Sequence, residues 1–254
     1  MPGQHGKASI GSSADNQGRM LNMEIEGSVA LVTGANRGIG LAFARALLSR
    51  GAAKVYAGTR QPEDLKEPGL EPLLLDVTNQ QHIEAAAAKA SDANIVINNA
   101  GIQAGPPLLH GSLDGARLEM EVNYLAPWAL SRAFAPVLAA NGGGVLVNML
   151  SVASWRANNR FPGYAASKAA EWSLTNALRL GLRDQGTVVI AVHVGFVDTD
   201  ATKAIDVPKV TAAEVADKTM AGILRNDPEV LVDEAARRVR SLLSGSLDLL
   251  YPTQ

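Results

Sequence analysis

The sequence predicts an α/β domain, a doubly wound parallel sheet (Rossmann-type) of about seven strands with helices on both faces. Three observations predict it. Short runs such as Val29–Val32, Ile95–Ile97 and Val145–Val147 are apolar throughout, as strands covered on both faces are. They alternate along the chain with segments of helical periodicity, which is the pattern of strand–helix–strand crossovers. A glycine-rich turn follows the first of these runs directly and opens onto a helix.

The chain has 254 residues, 47% of them hydrophobic, and a net charge of -2. That length suffices for one large, well-covered core, and no linker-like tract interrupts the middle. The first 24 residues are rich in Gly, Ser, Gln and Asn and lack both periodicity and the apolar centre of a signal peptide. Residues 1–24 therefore read as a mobile extension and 25–254 as one domain, with regular structure starting near Gly27. Near-neutral charge gives no electrostatic footprint for nucleic acid. No apolar run approaches the roughly 20 residues of a membrane span, so a cytoplasmic protein without membrane contact is expected. The chain has no cysteine, hence no disulfide or thiolate chemistry.

The elements follow in order. Val29 to Thr33 is the first strand and Ile39 to Arg50 the first helix, followed by strands at Val55 to Thr59 and Leu73 to Val77. An alanine-rich helix spans Gln80 to Ala90, a strand Ile95 to Asn98, and one long helix about Leu113 to Leu138. Next come a strand at Val145 to Leu150, a helix from Tyr164 to Arg183 and a strand from Val188 to Val194. A helix near Ala212 to Leu224, a seventh strand at Glu229 to Val232 and a helix to about Leu243 close the series. In such sheets ligands bind at the carboxyl ends of the strands, so chemistry is expected just after each one.

The turn after the first strand reads Thr33-Gly34-Ala35-Asn36-Arg37-Gly38-Ile39-Gly40. Glycines let the backbone approach a pyrophosphate, which the helix N-terminus stabilises through free N–H groups and its dipole. An NAD-selective domain places an acid about 20 residues further on, at the end of the second strand. Here that place holds Thr59 and Arg60, and Arg37 adds a second cation, so a 2′-phosphate is welcome and NADP(H) is the expected cofactor. Either arginine alone would also suit a solvated surface.

Tyr164 and Lys168 stand four residues apart, which on a helix puts phenol and ammonium on one face. A free phenol ionises near pH 10, about its ordinary value. A neighbouring cation favours the phenolate and so makes an acid–base catalyst possible. The same spacing fits a half-buried tyrosine beside a snorkelling lysine, and spacing by itself leaves both readings open.

With these residues in hand, the chain resembles the short-chain dehydrogenase/reductase family, in its single-domain branch. Thr33–Gly40 is similar to that family's Thr-Gly-x-x-x-Gly-x-Gly turn, and Asp76-Val77 to its adenine-contacting pair. Asn98-Asn99-Ala100-Gly101 resembles the segment that follows its fourth strand, and Asn123 falls where the family keeps a structural and proton-relay asparagine. Ser151 precedes Tyr164 by thirteen residues, the family's spacing; Ser154 is the second candidate. The resemblance covers about residues 27 to 235. It implies that Gly195, Val197 and Thr199 line the nicotinamide side, although Val194 replaces the family's usual proline and leaves the local loop geometry open.

The resemblance further implies a mechanism. Ser151 orients the carbonyl oxygen of a small-molecule carbonyl or alcohol substrate, and Tyr164 gives or takes the proton. Lys168 lowers the acidity threshold of the phenol and bonds the nicotinamide ribose, while Asn123 holds a water that links Lys168 to solvent. Plainer roles exist for each: Ser151 as a cap, Asn123 as a backbone satisfier near Pro127, Lys168 as an exposed helix residue. A cofactor-sensing regulator on the same fold is the alternative function, against which Tyr164 and Lys168 speak. Gln103–Leu109, Trp155–Phe161 and Phe196–Val210 are expected to wall the substrate pocket, with Leu108, Leu109, Trp155, Phe161 and Phe196 making it apolar. His5, His82, His110 and His193 are scattered, so no metal is expected. Trp128 and Phe134 sit on the helix that pairs subunits in the family, which implies a homodimer or homotetramer; burial in the core is their plainer role.

Overall fold

The computed structural model describes residues 23–252. The expected extension therefore lies almost wholly outside the described residues. Of its last part, Met23 packs against the core, and Ile25 beyond it is buried.

Strands β1 (Val29–Thr33), β2 (Lys54–Thr59) and β3 (Leu70–Leu74) alternate with helices α1 (Gly38–Ser49) and α2 (Gln80–Lys89), which leads into β4 (Ile95–Asn98). Helices α3 (Asp114–Met120) and α4 (Ala126–Ala140) precede β5 (Val145–Met149), and α5 (Pro162–Gly181) precedes β6 (Val188–His193). The chain closes with short strands β7 (Val197–Asp198) and β8 (Val210–Thr211), helix α6 (Ala212–Arg225), strand β9 (Glu229–Leu231) and helices α7 (Glu234–Leu242) and α8 (Leu247–Leu250). Seven strands form one parallel sheet in the order β3-β2-β1-β4-β5-β6-β9. This is the expected doubly wound α/β fold. Because the winding direction reverses between β1 and β4, a crevice opens at their carboxyl ends.

Side chains of successive strand residues point to opposite faces, and each face has its own core. Val32, Ile97, Val147 and Ile190 join Phe43 and Leu47 of α1 and Met220 and Ile223 of α6. Leu31, Val96, Leu146 and Val189 join Ile83 of α2 and Leu130, Phe134 and Leu138 of α4. Phe134 is thus a core residue. Trp128, 42% exposed, lies outside the core and against the Tyr124 ring at 5.9 Å between centroids.

Besides shifts of a residue or two at other element ends, three departures from expectation have a physical reason. The third strand runs from Leu70 to Leu74 and not from Leu73 to Val77, because β3 is an edge strand pairing only with β2, where Pro72 is tolerated. Asp76 and Val77 consequently fall in the loop beyond the strand end. The long helix expected at Leu113–Leu138 is broken in register by a π-helical turn at Glu121–Leu125. Pro127 just downstream has no N–H to give to the preceding turn, which favours such a widening. Third, β7 and β8 pair as a small separate sheet, so the segment between them is tied at both ends; the sequence carried no periodic signal for strands this short.

Candidate active site

The site is assembled at the carboxyl ends of β1, β4, β5 and β6. After β1 the chain turns through Gly34 and Gly38, both with positive φ (65° and 56°), a conformation that costs glycine little. At Gly40 a Cβ would run into the Gly34 carbonyl oxygen and stand 2.6 Å from Asn99 Nδ2, so the helix can start this close to the strand only with glycine there. Arg37, the residue before α1, gives no side-chain cap, which leaves the first-turn N–H groups available. Asn36 and Arg37 are exposed on the rim and Ile39 is half-buried.

Asparagine and threonine lock this turn to the loop after β4. Thr33 Oγ1 accepts from the N–H groups of Asn99 (2.9 Å) and Ala100 (3.0 Å), and Asn99 Nδ2 donates to Thr33 O at 2.9 Å. Gly101 follows. A Cβ there would lie 3.3 Å from Asn123 Oδ1 and 3.8 Å from Lys168 Nζ, so this loop, the π turn and α5 meet at one point. Asn123 is fully buried: its Nδ2 donates to Ile102 O (2.8 Å) and Ser167 Oγ (2.9 Å), and its Oδ1 accepts from Ile102 N–H (2.8 Å). The side chain clamps the β4 loop to α5. Its remaining capacity is one lone pair on Oδ1.

Helix α5 starts at Pro162, where the missing N–H costs nothing, and packs against the 3₁₀ turn Val152–Ser154 that follows β5. Ser151 caps that turn: its Oγ accepts from Ala153 N–H at 3.1 Å and donates to Val194 O at 3.4 Å. Ser154 turns its hydroxyl inward, to the Ser151 carbonyl oxygen and the His193 ring. Tyr164 is half-buried at the head of α5. Lys168, one turn on, is buried rather than snorkelling or exposed, and donates to Met149 O at 2.7 Å and to Glu171 Oε2 at 2.6 Å. Burial works against the Lys168 ammonium, but the Glu171 carboxylate and the Tyr164 phenol outweigh it and raise its pKa. In the same dry surroundings burial pushes the Glu171 carboxyl up, to about 7, against the pull of Lys168.

On the far side of the crevice, Thr59 is buried at the end of β2 and Arg60 is exposed beside it. The Thr78 N–H holds the Asp76 carboxyl below the ordinary carboxylate range; the Thr78 hydroxyl and the nearby Arg60 add to this, against partial burial. Arg37 reaches across to Asp200 at 3.4 Å, both side chains well exposed. Val197 is buried, and Thr199 stands over the glycine turn, with its Cγ2 3.7 Å from where a Cβ on Gly38 would be. The departure at Val194 leaves an ordered loop: Val194 O accepts from Val152 N–H at 2.9 Å, and Gly195 N–H donates to Asp233 Oδ2 at 2.9 Å.

Residues 28–209 match the short chain dehydrogenase family. The chain belongs to that family. A 3-oxoacyl-[acyl-carrier-protein] reductase of Vibrio cholerae is 34% identical over 199 residues, 75% of this chain and 82% of that protein. A short chain dehydrogenase from Burkholderia cenocepacia, solved in complex with NADP, superposes with a TM-score of 0.87 at 37% identity, covering 91% of this chain and all of that one. An NADPH-bound carbonyl reductase from chicken fatty liver superposes with a TM-score of 0.72 at 30% identity, covering 80% of this chain and 88% of that one. The chain is thus an oxidoreductase of the short-chain dehydrogenase family.

Some expectations shift in detail. Trp155 is buried and stacks on the His193 ring at 3.6 Å between centroids, while Leu108, Leu109 and Phe196 are exposed. His82 is used internally, its Nδ1 accepting from Asp76 N–H at 3.2 Å, and His5 lies outside the described residues. Two buried acids were missed. Glu171 pairs with Lys168, and Glu119 Oε1 accepts from Ala104 and Gly105 N–H at 2.8 and 2.9 Å, holding the loop after β4. The available signal was spacing, Glu171 lying three residues after Lys168 on the same helix face, and spacing alone does not show burial.

Proposed function

We propose that the protein is an NADP(H)-dependent oxidoreductase that interconverts a small carbonyl compound and its alcohol. The observation that carries the reading is the buried Lys168 ammonium one helical turn from Tyr164, on a helix packed against the Ser151 turn at the strand ends.

The crevice suits a dinucleotide. Positive-φ glycines and the space kept by Gly40 form a cradle that any Cβ would fill, beside an uncapped helix start, which is the chemistry a pyrophosphate needs. Gly34, Asn36, Gly38, Ile39 and Gly40 would hold it. Thr59, Arg60 and Arg37 would take the 2′-phosphate, Asp76 and Val77 the adenine, and Asn99, Ala100, Gly101, Gly195, Val197 and Thr199 the nicotinamide side. Tyr164 and Lys168 would bond its ribose, Lys168 through the one N–H that Met149 and Glu171 leave over. When bound, the cofactor supplies or accepts hydride.

The chain's own residues handle the oxygen and the proton. The Ser151 hydroxyl bonds the substrate oxygen in place of its weak 3.4 Å contact to Val194 O. Tyr164 gives its proton to that oxygen during reduction and takes it back during oxidation, with the Lys168 charge stabilising the phenolate between the two. Leu108, Leu109 and Phe196, exposed in the segments that follow β4 and β6, favour a moderately apolar carbonyl compound. The half-exposed Trp128 beside Tyr124 on α4 offers a face for a second copy of the chain, as a homodimer or homotetramer would need.

The test is to follow loss of NADPH with a panel of aldehydes, ketones and ketoesters. Turnover with at least one carbonyl class is expected. Tight NADPH binding with no turnover on any of them contradicts the reading.

A further inference from the structure

The Lys168 ammonium is not left alone with Tyr164. Glu171, one turn further along α5, is 1% exposed and places Oε2 2.6 Å from Nζ. Nothing in a redox site built from Ser151, Tyr164 and Lys168 requires an acid there, and a buried carboxylate is costly unless it is used. Its backbone is pinned as well. Thr175 Oγ1 donates to Glu171 O at 2.7 Å and accepts from Asn148 Nδ2 at 2.8 Å, while Asn98 Nδ2 donates to Asn148 Oδ1 at 2.9 Å. A buried polar chain thus runs from the end of β4 through β5 to the residue that grips Lys168.

We infer that Glu171 is a positioning residue of the Tyr164–Lys168 pair: its carboxylate fixes the ammonium at the end of β5 and tempers the positive charge that the phenol meets. The inference rests on the redox reading for its meaning, but not for its test. Two consequences follow from charge alone. With Glu171 present, its carboxylate adds to the pull of Tyr164 in holding the lysine's proton against burial. Above about pH 7, where Glu171 is ionised, the cluster is neutral as long as Tyr164 and Lys168 keep their protons, whereas without the carboxylate it carries a full positive charge and the phenol gives up its proton more readily. Glu171 therefore sets the pH at which the pair starts to ionise. The other buried or half-buried titratable groups on α5 and the elements packed against it are Glu119 of α3, Tyr124 of the π turn, Arg179 of α5 and His193 of β6, while Asp114, Arg117, Glu121 and Arg132 there are exposed. His193 is held neutral by burial, its pKa lowered to about 3, so it does not compensate for a missing carboxylate.

The test compares Glu171→Gln and Glu171→Ala, which remove the charge, with Glu171→Asp, which keeps it on a shorter arm. Tyrosinate absorbance is titrated in each protein without cofactor, and the same titration in a Tyr164→Phe background is subtracted so that the Tyr164–Lys168 pair is read alone. Gln and Ala are expected to move that ionisation to lower pH by about half a unit or more, and Asp to leave it near the parent. Where turnover is measurable, the pH profile of alcohol oxidation should move the same way. Superimposable titrations for all folded variants, or shifts that follow side-chain size instead of charge, overturn the inference; either charge-removing variant suffices if the other fails to fold. Because the titration needs no substrate, a protein that turns over nothing can still pass it, which separates failure of this inference from failure of the redox reading.

Discussion

Glu119 and Gly105 are joined by a 2.9 Å hydrogen bond from the backbone N–H to Oε1, and the same oxygen takes the Ala104 N–H. The carboxylate is 1% exposed and stands beneath both Gly105 and Gly163, where any Cβ would strike it. It thereby holds the loop after β4 by hydrogen bonds and packs against the start of α5, one residue before Tyr164. Glu119→Ala should loosen that loop, raising KM for the carbonyl substrate several-fold while NADPH affinity changes less, and should lower stability by about 1–3 kcal/mol. Chemical denaturation together with separate KM measurements checks this, and equal loss of both affinities contradicts a local effect.

The glycine cradle makes a second prediction. Gly40→Ala forces a Cβ against the Gly34 carbonyl and the Asn99 amide. Overpacking of this kind typically costs about 1–3 kcal/mol, and the turn must shift to relieve it. Fluorescence titration should show NADPH affinity at least about ten-fold weaker, which corresponds to 1.4 kcal/mol. Unchanged affinity and stability would mean that the turn is not held as closely as the structure has it.

Cofactor selection tests the cations. Arg60 is exposed beside buried Thr59, where an acid would favour NAD. Arg60→Asp should shift the NADPH to NADH preference in kcat/KM by about 10- to 100-fold, the value of one lost charged hydrogen bond of 1.5–3 kcal/mol. Arg37 is paired with Asp200 at 3.4 Å, so Arg37→Asp should have the smaller effect. An unchanged ratio in Arg60→Asp removes that residue from the phosphate site.

Acid stability tests the buried imidazole. His193 is pressed against Trp155, and burial depresses its pKa from 6.5 to about 3. The unfolded chain therefore binds the extra proton first. This contribution to stability is complete above about pH 6.5 and is lost as pH falls toward 3, at up to about 1.4 kcal/mol per pH unit. Glu171 acts in the opposite sense, since a raised carboxyl favours the folded state at lower pH. The effect is best isolated as a difference: His193→Phe should lose less stability between pH 7 and pH 4 than the parent does. Parallel stability curves for the two proteins argue against a neutral buried ring.

Most of the sheet was legible because its strands are covered on both faces and announce themselves as apolar runs; β1 and β4 match their expected limits to the residue. The edge strand was not, since Pro72 broke its run, and neither was the π turn, because Glu121–Leu125 keeps helical composition while changing its hydrogen bonds. In the site, Tyr164, Lys168 and the glycine turn were visible as spacings. What spacing cannot convey is which side chains are spent on one another. Lys168 is gripped by Glu171, Asn123 clamps the Ile102 backbone, and Trp155 stacks on His193. Such pairings join residues far apart in sequence or depend on burial that spacing does not show, and only packing reveals them.

The measurement that bears most directly on the whole account is single-turnover reduction of a reactive ketoester by NADPH in Tyr164→Phe beside the parent. The variant keeps the ring and its packing and removes only the hydroxyl that carries the proton. NADPH affinity should stay within about two-fold of the parent while reduction falls by at least about 10²- to 10⁴-fold, the usual worth of a positioned acid. Reduction at a rate close to the parent's, with cofactor bound equally well, would contradict the assignment of proton transfer to this phenol.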